Sequence, residues 1–238
     1  MKPSDRAGGR PVALVTGANR GTGLAMAVEL DRRGFQVLAL NRTLRKEPWL
    51  REFECDLADP GGVREAVAEA VAETGRLDVC VANAVHRQLA PVGEMAPADW
   101  ERAVAVNLTS VFALVQAALP ALRERRGSIV VMGSHAGTRY FEGGASYSAT
   151  KAALKALVET LLLEERRNGV RTTLVSPGAI ANQDGDDDPL KMTPAAVACC
   201  VADVLQAPDT SVVVGEIELR PALLPAPDVH GIERLRYV

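Results

Sequence analysis

The strongest constraint on the fold lies near the start of the chain. The run Val12–Thr16 leads straight into Thr16-Gly17-Ala18-Asn19-Arg20-Gly21-Thr22-Gly23, and Gly21–Gly34 then carries helical periodicity. A buried strand that turns through glycines into a helix must lay that helix back on its own sheet. The right-handed crossover then returns the chain to a parallel neighbour. Glycines also let backbone N–H groups come close to a pyrophosphate, and the helix N-terminus adds a favourable potential for the anion. Gly17, Asn19, Arg20, Gly21, Thr22 and Gly23 are therefore candidate phosphate-binding residues.

The rest of the chain repeats the pattern. Strands are expected at Gln36–Asn41, Glu52–Asp56, Leu77–Ala82, Ser128–Gly133, Arg171–Ser176 and Ser211–Ile217. Helices are expected at Gly61–Glu73, Ala98–Leu122, Ser146–Asn168 and Thr193–Leu205, the last with Thr193 as N-cap and Pro194 in its first position. The strand runs are continuously apolar rather than alternating, which marks strands covered on both faces. The expected fold class is α/β: one Rossmann-type, doubly wound parallel sheet of about seven strands with helices on both sides. One domain suffices for 238 residues. Residues 1–10 read as a tail, 182–193 as a substrate loop and 222–238 as a C-terminal extension.

Composition excludes several classes. The formal net charge of −3 gives no pull toward nucleic acid. The expectation is no membrane span, because the apolar stretches are short. Met1–Arg10 lacks the apolar core of a signal peptide. Cys55, Cys80, Cys199 and Cys200 form no C-x-x-C pair and no zinc pattern, so no metal is expected. Unpaired thiols suit a reducing cytoplasm.

Tyr147-Ser148-Ala149-Thr150-Lys151 carries the first sign of chemistry. Positions i and i+4 share one helix face. An ammonium beside a phenol favours the phenolate, so the pair can pass a proton near neutral pH. By itself the pair reads better as a solvated helix face. Ser134, 13 residues earlier at the end of a strand, supplies a hydroxyl in the same region. Asn107 sits inside a long helix, where asparagine has poor propensity.

The glycine spacing T-G-x-x-x-G-x-G, followed in order by Asn107, Ser134 and Tyr147-x-x-x-Lys151, resembles the classical short-chain dehydrogenase/reductase family over roughly residues 11–221. The resemblance implies that Ser134 polarises a carbonyl and Tyr147 protonates its oxygen. It implies that Lys151 tunes Tyr147 and bonds the nicotinamide ribose, and that the Asn107 backbone carbonyl holds a relay water. It places Asp56 and Leu57 near the adenine. Asn83 and Ala84 match two positions of the family's N-N-A-G, with Ala82 and Val85 departing from it. Pro177, Gly178, Ile180 and Asn182 match P-G-x-I-x-T, with Asn182 in place of threonine, where its amide would bond the carboxamide.

The second strand ends in Asn41-Arg42 rather than in the acid that bonds a ribose 2′-hydroxyl. Arginine can grip a 2′-phosphate with several donors, and Arg20 adds a second cation. NADP(H) is the expected cofactor. The expected activity is NADPH-dependent reduction of a ketone or aldehyde, or the reverse oxidation of a secondary alcohol, with a place in a biosynthetic pathway. A tailoring enzyme with another net reaction, such as epimerisation, and a catalytically silent NADP-binding regulator are the alternatives. The intact set of Ser134, Tyr147, Lys151 and Asn107 speaks against the silent protein.

His86, His135, Arg139 and Tyr140 fall in loops that border the substrate in relatives. The aspartates of 184–188 read as a solvated loop that weakly disfavours an anionic substrate. The arginine clusters at 123–126 and 166–171 could dock an acyl carrier protein, although helix-end charges explain them better. The resemblance further implies a homodimer or homotetramer built on the two long helices.

Overall fold

The computed structural model describes residues 9–183, 185–206 and 211–223. Seven strands form one parallel sheet: β1 (Val12–Thr16), β2 (Gln36–Asn41), β3 (Arg51–Glu54), β4 (Val79–Ala82), β5 (Ser128–Met132), β6 (Arg171–Pro177) and β7 (Glu216–Leu219), in the order β3-β2-β1-β4-β5-β6-β7. The order reverses between β1 and β4. Such a switch point opens a crevice at the carboxyl ends of the strands, where open α/β sheets bind ligands.

The continuous apolar runs are explained by the pleat. Val12, Leu14, Leu38 and Leu40 face one core, and Ala13, Val15, Val37 and Ala39 face the other. The first core is closed by α2 (Pro60–Thr74), α4 (Ser110–Arg125) and α5 (Ala145–Glu165). The second is closed by α1 (Gly21–Arg32) and α6 (Pro194–Leu205). Thr193 caps α6, its hydroxyl accepting from Ala196 N at 3.1 Å.

Three expectations need correction. The helix expected over Ala98–Leu122 comprises α3 (Pro97–Val104), a π turn (Ala105–Thr109) and α4. A π turn inserts one extra residue and turns the following face, and here it buries Asn107. β7 starts at Glu216 rather than at Ser211. Leu174 pairs with Glu216 in the ladder, and Val213–Gly215 only approach it through Thr173 Oγ1→Val214 O and Leu174 N→Gly215 O. β3 lies one to two residues earlier than expected, because its register is set by pairing with Leu38–Asn41. The stretch Pro97–Arg125 is long and apolar enough to cross a membrane by composition. Its apolar side is accounted for by the core, where Val111, Leu114, Ala118 and Leu122 are buried. The residues expected as an N-terminal tail and a C-terminal extension fall largely outside the described residues, as does Asp184.

Candidate active site

The glycine loop closes the switch point through backbone contacts. Gly17 has φ +67, and a Cβ there would lie 2.9 Å from that of Ala84. Gly23 needs its missing side chain for space: a Cβ would press into the Gly17 carbonyl oxygen and come within 2.5 Å of Asn83 Nδ2. The ends of β1 and β4 are laced together. Thr16 Oγ1 accepts from Asn83 N at 2.9 Å and Ala84 N at 3.1 Å, and Asn83 Nδ2 donates to Thr16 O at 3.0 Å. Strand patterning marks Thr16 only as the last residue of β1; its place at the head of the glycine motif is the signal for this role.

The resulting cleft has a volume of about 220 Å³. Its wall includes Gly17, Asn19, Arg20, Thr22 and Gly23 from the loop, Arg42 after β2, Asp56 and Leu57 after β3, and Asn83, Ala84 and His86 after β4. Asn182 reaches in from the far side. Val85 lines it too, as do Cys55 and Arg102, which sequence reasoning did not assign there. Asp56 accepts from Ala58 N at 3.0 Å and meets Arg102 at 3.3 Å, and these bonds hold its carboxyl below the usual range.

Two features show that the cleft suits an anionic, hydrogen-bonding ligand. The first turn of α1 has no side-chain cap, and Thr22 N and Oγ1 instead donate to Asn182 Oδ1 at 2.7 and 2.9 Å. An acceptor thus already stands where a helix N-terminus calls for a phosphate oxygen. The amide of Asn182 faces the glycine loop and the cleft. The second feature is His86, whose Nε2 is buried without a hydrogen-bond partner among the described residues.

Asn41 departs from expectation. It is 1% exposed and absent from the cleft wall; its Nδ2 donates to Glu52 Oε1 at 2.7 Å. The same carboxylate accepts from Arg45 N at 2.9 Å and Lys46 N at 2.7 Å, which pull its pKa down against burial. Glu52 is thereby turned inward. Arg45, not foreseen, donates to Asn19 O at 3.0 Å and adds a cation to the side occupied by Arg20 and Arg42.

Beyond the cleft, α5 carries Tyr147 and Lys151. Lys151 is 5% exposed, and its Nζ donates to Met132 O at 2.6 Å and lies 5.8 Å from the Tyr147 ring centroid. Ser134, two residues past Met132, opens a 3-10 turn (His135–Gly137), its Oγ accepting from Ala136 N at 3.1 Å. Gly137 fixes this turn on α5, since a Cβ there would stand 3.0 Å from the Lys151 carbonyl oxygen. Asn107 joins loop and helix by its side chain. It accepts from His86 N at 2.7 Å and donates to His86 O at 2.9 Å and to Thr150 Oγ1 at 3.2 Å.

His135 and Arg139 go elsewhere. His135 is 5% exposed and packs under Gly178, its Nε2 3.0 Å from Glu218 Oε1 but without the alignment of a hydrogen bond. Arg139 pairs with the same oxygen at 2.6 Å. Both turn toward Glu218 of β7. Tyr140 is exposed. Pro177 ends β6, and Gly178 and Ile180 follow it, with Gly178 N bonded to Leu219 O at 2.8 Å. In the arginine cluster at 123–126, Arg123 pairs with Glu165 at 2.6 Å and Arg125 approaches Asp78 at 3.4 Å, as helix-end charges do.

Burial pushes the Lys151 ammonium down to about 8 from an ordinary value of 10.5. Between those values the unfolded chain holds a proton that the folded chain has released, so this group adds stability as pH rises through the window. Below pH 8 it costs the fold about 3 kcal/mol. Lys151→Met is therefore expected to resist urea better than wild type at pH 7, with the advantage shrinking at pH 9.5. A pH-independent difference in cofactor-free denaturation would overturn this.

The chain is similar to known proteins. The family model for short chain dehydrogenases matches residues 11–187. An uncharacterized NAD-dependent oxidoreductase of Mycobacterium tuberculosis is 34% identical over 195 residues, 71% of each chain. D-threitol dehydrogenase of Mycolicibacterium smegmatis is 32% identical over 186 residues, 73% of this chain and 72% of that one. An alcohol dehydrogenase from the archaeon Thermococcus sibiricus, solved with 5-hydroxy-NADP, superimposes with a TM-score of 0.83 at 27% identity, covering 89% of this chain and 97% of that one.

Proposed function

The chain belongs to the short-chain dehydrogenase family, oxidoreductases that work on CH–OH and C=O groups with a nicotinamide dinucleotide, and from that premise we propose that it reduces a ketone or aldehyde with NADPH. The observation that carries the proposal is the setting of Tyr147, with a buried ammonium on its own helix and Ser134 on the strand end that accepts that ammonium. Ser134 holds the carbonyl oxygen. Tyr147 delivers the proton to it. Lys151 keeps the phenol poised and would hold the nicotinamide ribose. Asn107 holds loop and helix in register and completes the path to solvent. When bound, the nicotinamide would supply hydride to carbon, and the protein's residues position the substrate and protonate it.

NADPH rather than NADH rests on the end of β2. Arg42 lines the cleft, Arg20 and Arg45 stand on the same side, and the nearby acid, Glu52, is occupied by three internal donors. A 2′-phosphate would thus meet Arg20 and Arg42, with the described carboxylates nearby already paired, Asp56 with Arg102 and Glu47 with Arg45. Arg42→Asp is expected to shift the NADPH-to-NADH ratio of kcat/KM by about 10- to 100-fold toward NADH. Equal efficiencies with both cofactors in the unmodified protein would sink the assignment. The reaction itself is tested by following NADPH oxidation over keto acids, keto esters, ketoacyl thioesters, quinones and polycyclic ketones. No oxidation with any carbonyl, alongside intact cofactor binding, would overturn it.

A further inference from the structure

The Arg87 guanidinium lies over the Tyr147 ring, 5.7 Å from its centroid. Its neighbours in the chain are fixed on both sides. Asn107 holds the backbone N–H and carbonyl of His86, Ser146 Oγ donates to Gln88 O at 3.3 Å, and Ala90 N donates to Gly143 O at 3.0 Å. Four hydrogen bonds within five residues thus pin an otherwise exposed loop, two to Asn107 in the π turn and two to α5 and the segment before it. Arg87 itself has no ion pair or hydrogen bond to a described residue, whereas Arg102 and Arg139 are both paired. An exposed cation stacked on a half-buried ring gains only about 0.5–1 kcal/mol, too little to account for four anchors.

The cofactor cleft ends at Val85 and His86, and Arg87 is not part of its wall. The guanidinium instead stands beside the phenol that would protonate the substrate. The pinned loop and its partner segment also expose Leu89, Tyr140 and Phe141. Two of the aspartates that argued against an anion share one cation of their own loop, Lys191 Nζ lying 2.8 Å from Asp186 and 3.8 Å from Asp188.

We infer that Arg87 is a specificity residue that holds an anionic group, a carboxylate, of the carbonyl substrate, so that the preferred substrates are keto acids with an apolar body. The inference rests on the proposed carbonyl reduction and names the substrate class for the same site. An arginine fork matches a carboxylate with two parallel hydrogen bonds. Engaging it would draw the carbonyl a few bonds away toward Tyr147.

The test compares benzoylformate and 4-oxo-4-phenylbutyrate with their methyl esters, using NADPH and the full chain. The unmodified protein is expected to prefer each acid over its ester. In Arg87→Ala the acid-to-ester ratio of kcat/KM should fall by about 10- to 100-fold, chiefly through KM, as loss of a charge-assisted pair predicts. Arg87→Lys should recover part of the ratio. A ratio unchanged by Arg87→Ala, or an equal loss for acid and ester, overturns the inference while leaving carbonyl reduction standing. If neither acid nor ester is reduced, calorimetric titration of each into the NADPH-loaded protein measures binding directly. Acid binding that depends on Arg87 supports the inference, and its absence overturns it.

Discussion

Tyr147→Phe is expected to lower kcat by about 10²- to 10⁴-fold, the range that a positioned proton donor supplies. The substitution keeps the ring, and with it the face that Arg87 and Lys151 approach at 5.7 and 5.8 Å. Only the hydroxyl is removed. Lys151 keeps its bond to Met132 O, and the glycine loop and Asn83 are untouched. Cofactor affinity should therefore stay within about threefold of wild type, which is under 1 kcal/mol. Stopped-flow NADPH oxidation and fluorescence titration read the two quantities separately. Turnover within tenfold of wild type would refute the proton-donor role, and joint loss of turnover and cofactor binding would point to a damaged fold instead.

Gly23→Val carries the second large effect, and its cause is packing rather than chemistry. Gly23 has no positive φ, so its backbone tolerates a side chain. The obstacle is space: even a Cβ collides with the Gly17 carbonyl and with Asn83 Nδ2. Both are parts of the lacing between β1 and β4, and neither is the free end of a flexible chain. Relief requires α1 to shift away from the loop, which moves the Thr22 N–H that faces the anion site. Overpacking of this kind costs about 1–3 kcal/mol or more. Cofactor affinity is expected to fall at least about 100-fold, because the backbone donors lose their aim. Gly34→Ala serves as the control. Its φ of +93 makes it strained, but nothing lies within 4 Å, and the site is remote. It should lose about 1–2 kcal/mol of stability and keep its cofactor affinity. A Gly23→Val protein that binds NADPH as wild type does would refute the steric account.

The sheet is readable from the chain because its signal is local. A strand buried on both faces must be apolar at nearly every position, and Val12–Thr16, Gln36–Asn41 and Ser128–Met132 carry that run. The edge strand escapes the same signal. Val212–Val214 is the apolar run, but Glu216–Leu219 pairs with β6 and alternates exposed and half-buried positions. An edge strand owes its place to register with its neighbour, which no run of hydrophobicity encodes. The π turn at Ala105–Thr109 is invisible as a turn, although the poor helix propensity of Asn107 marks the spot.

At the site, spacing alone determined that Tyr147 and Lys151 share a face and that glycines open α1, because i, i+4 geometry and steric room are properties of short segments. Only the tertiary structure decided which partners the polar side chains take. It sent Asn41 to Glu52, Asn182 to Thr22, and His135 and Arg139 to Glu218. It also stood Arg87 over Tyr147. These pairs join residues from 11 to 160 positions apart or lie across separate loops. A hydrogen bond or ion pair depends on angstrom-scale approach of two specific atoms, and that approach is set by how the helices close over the sheet.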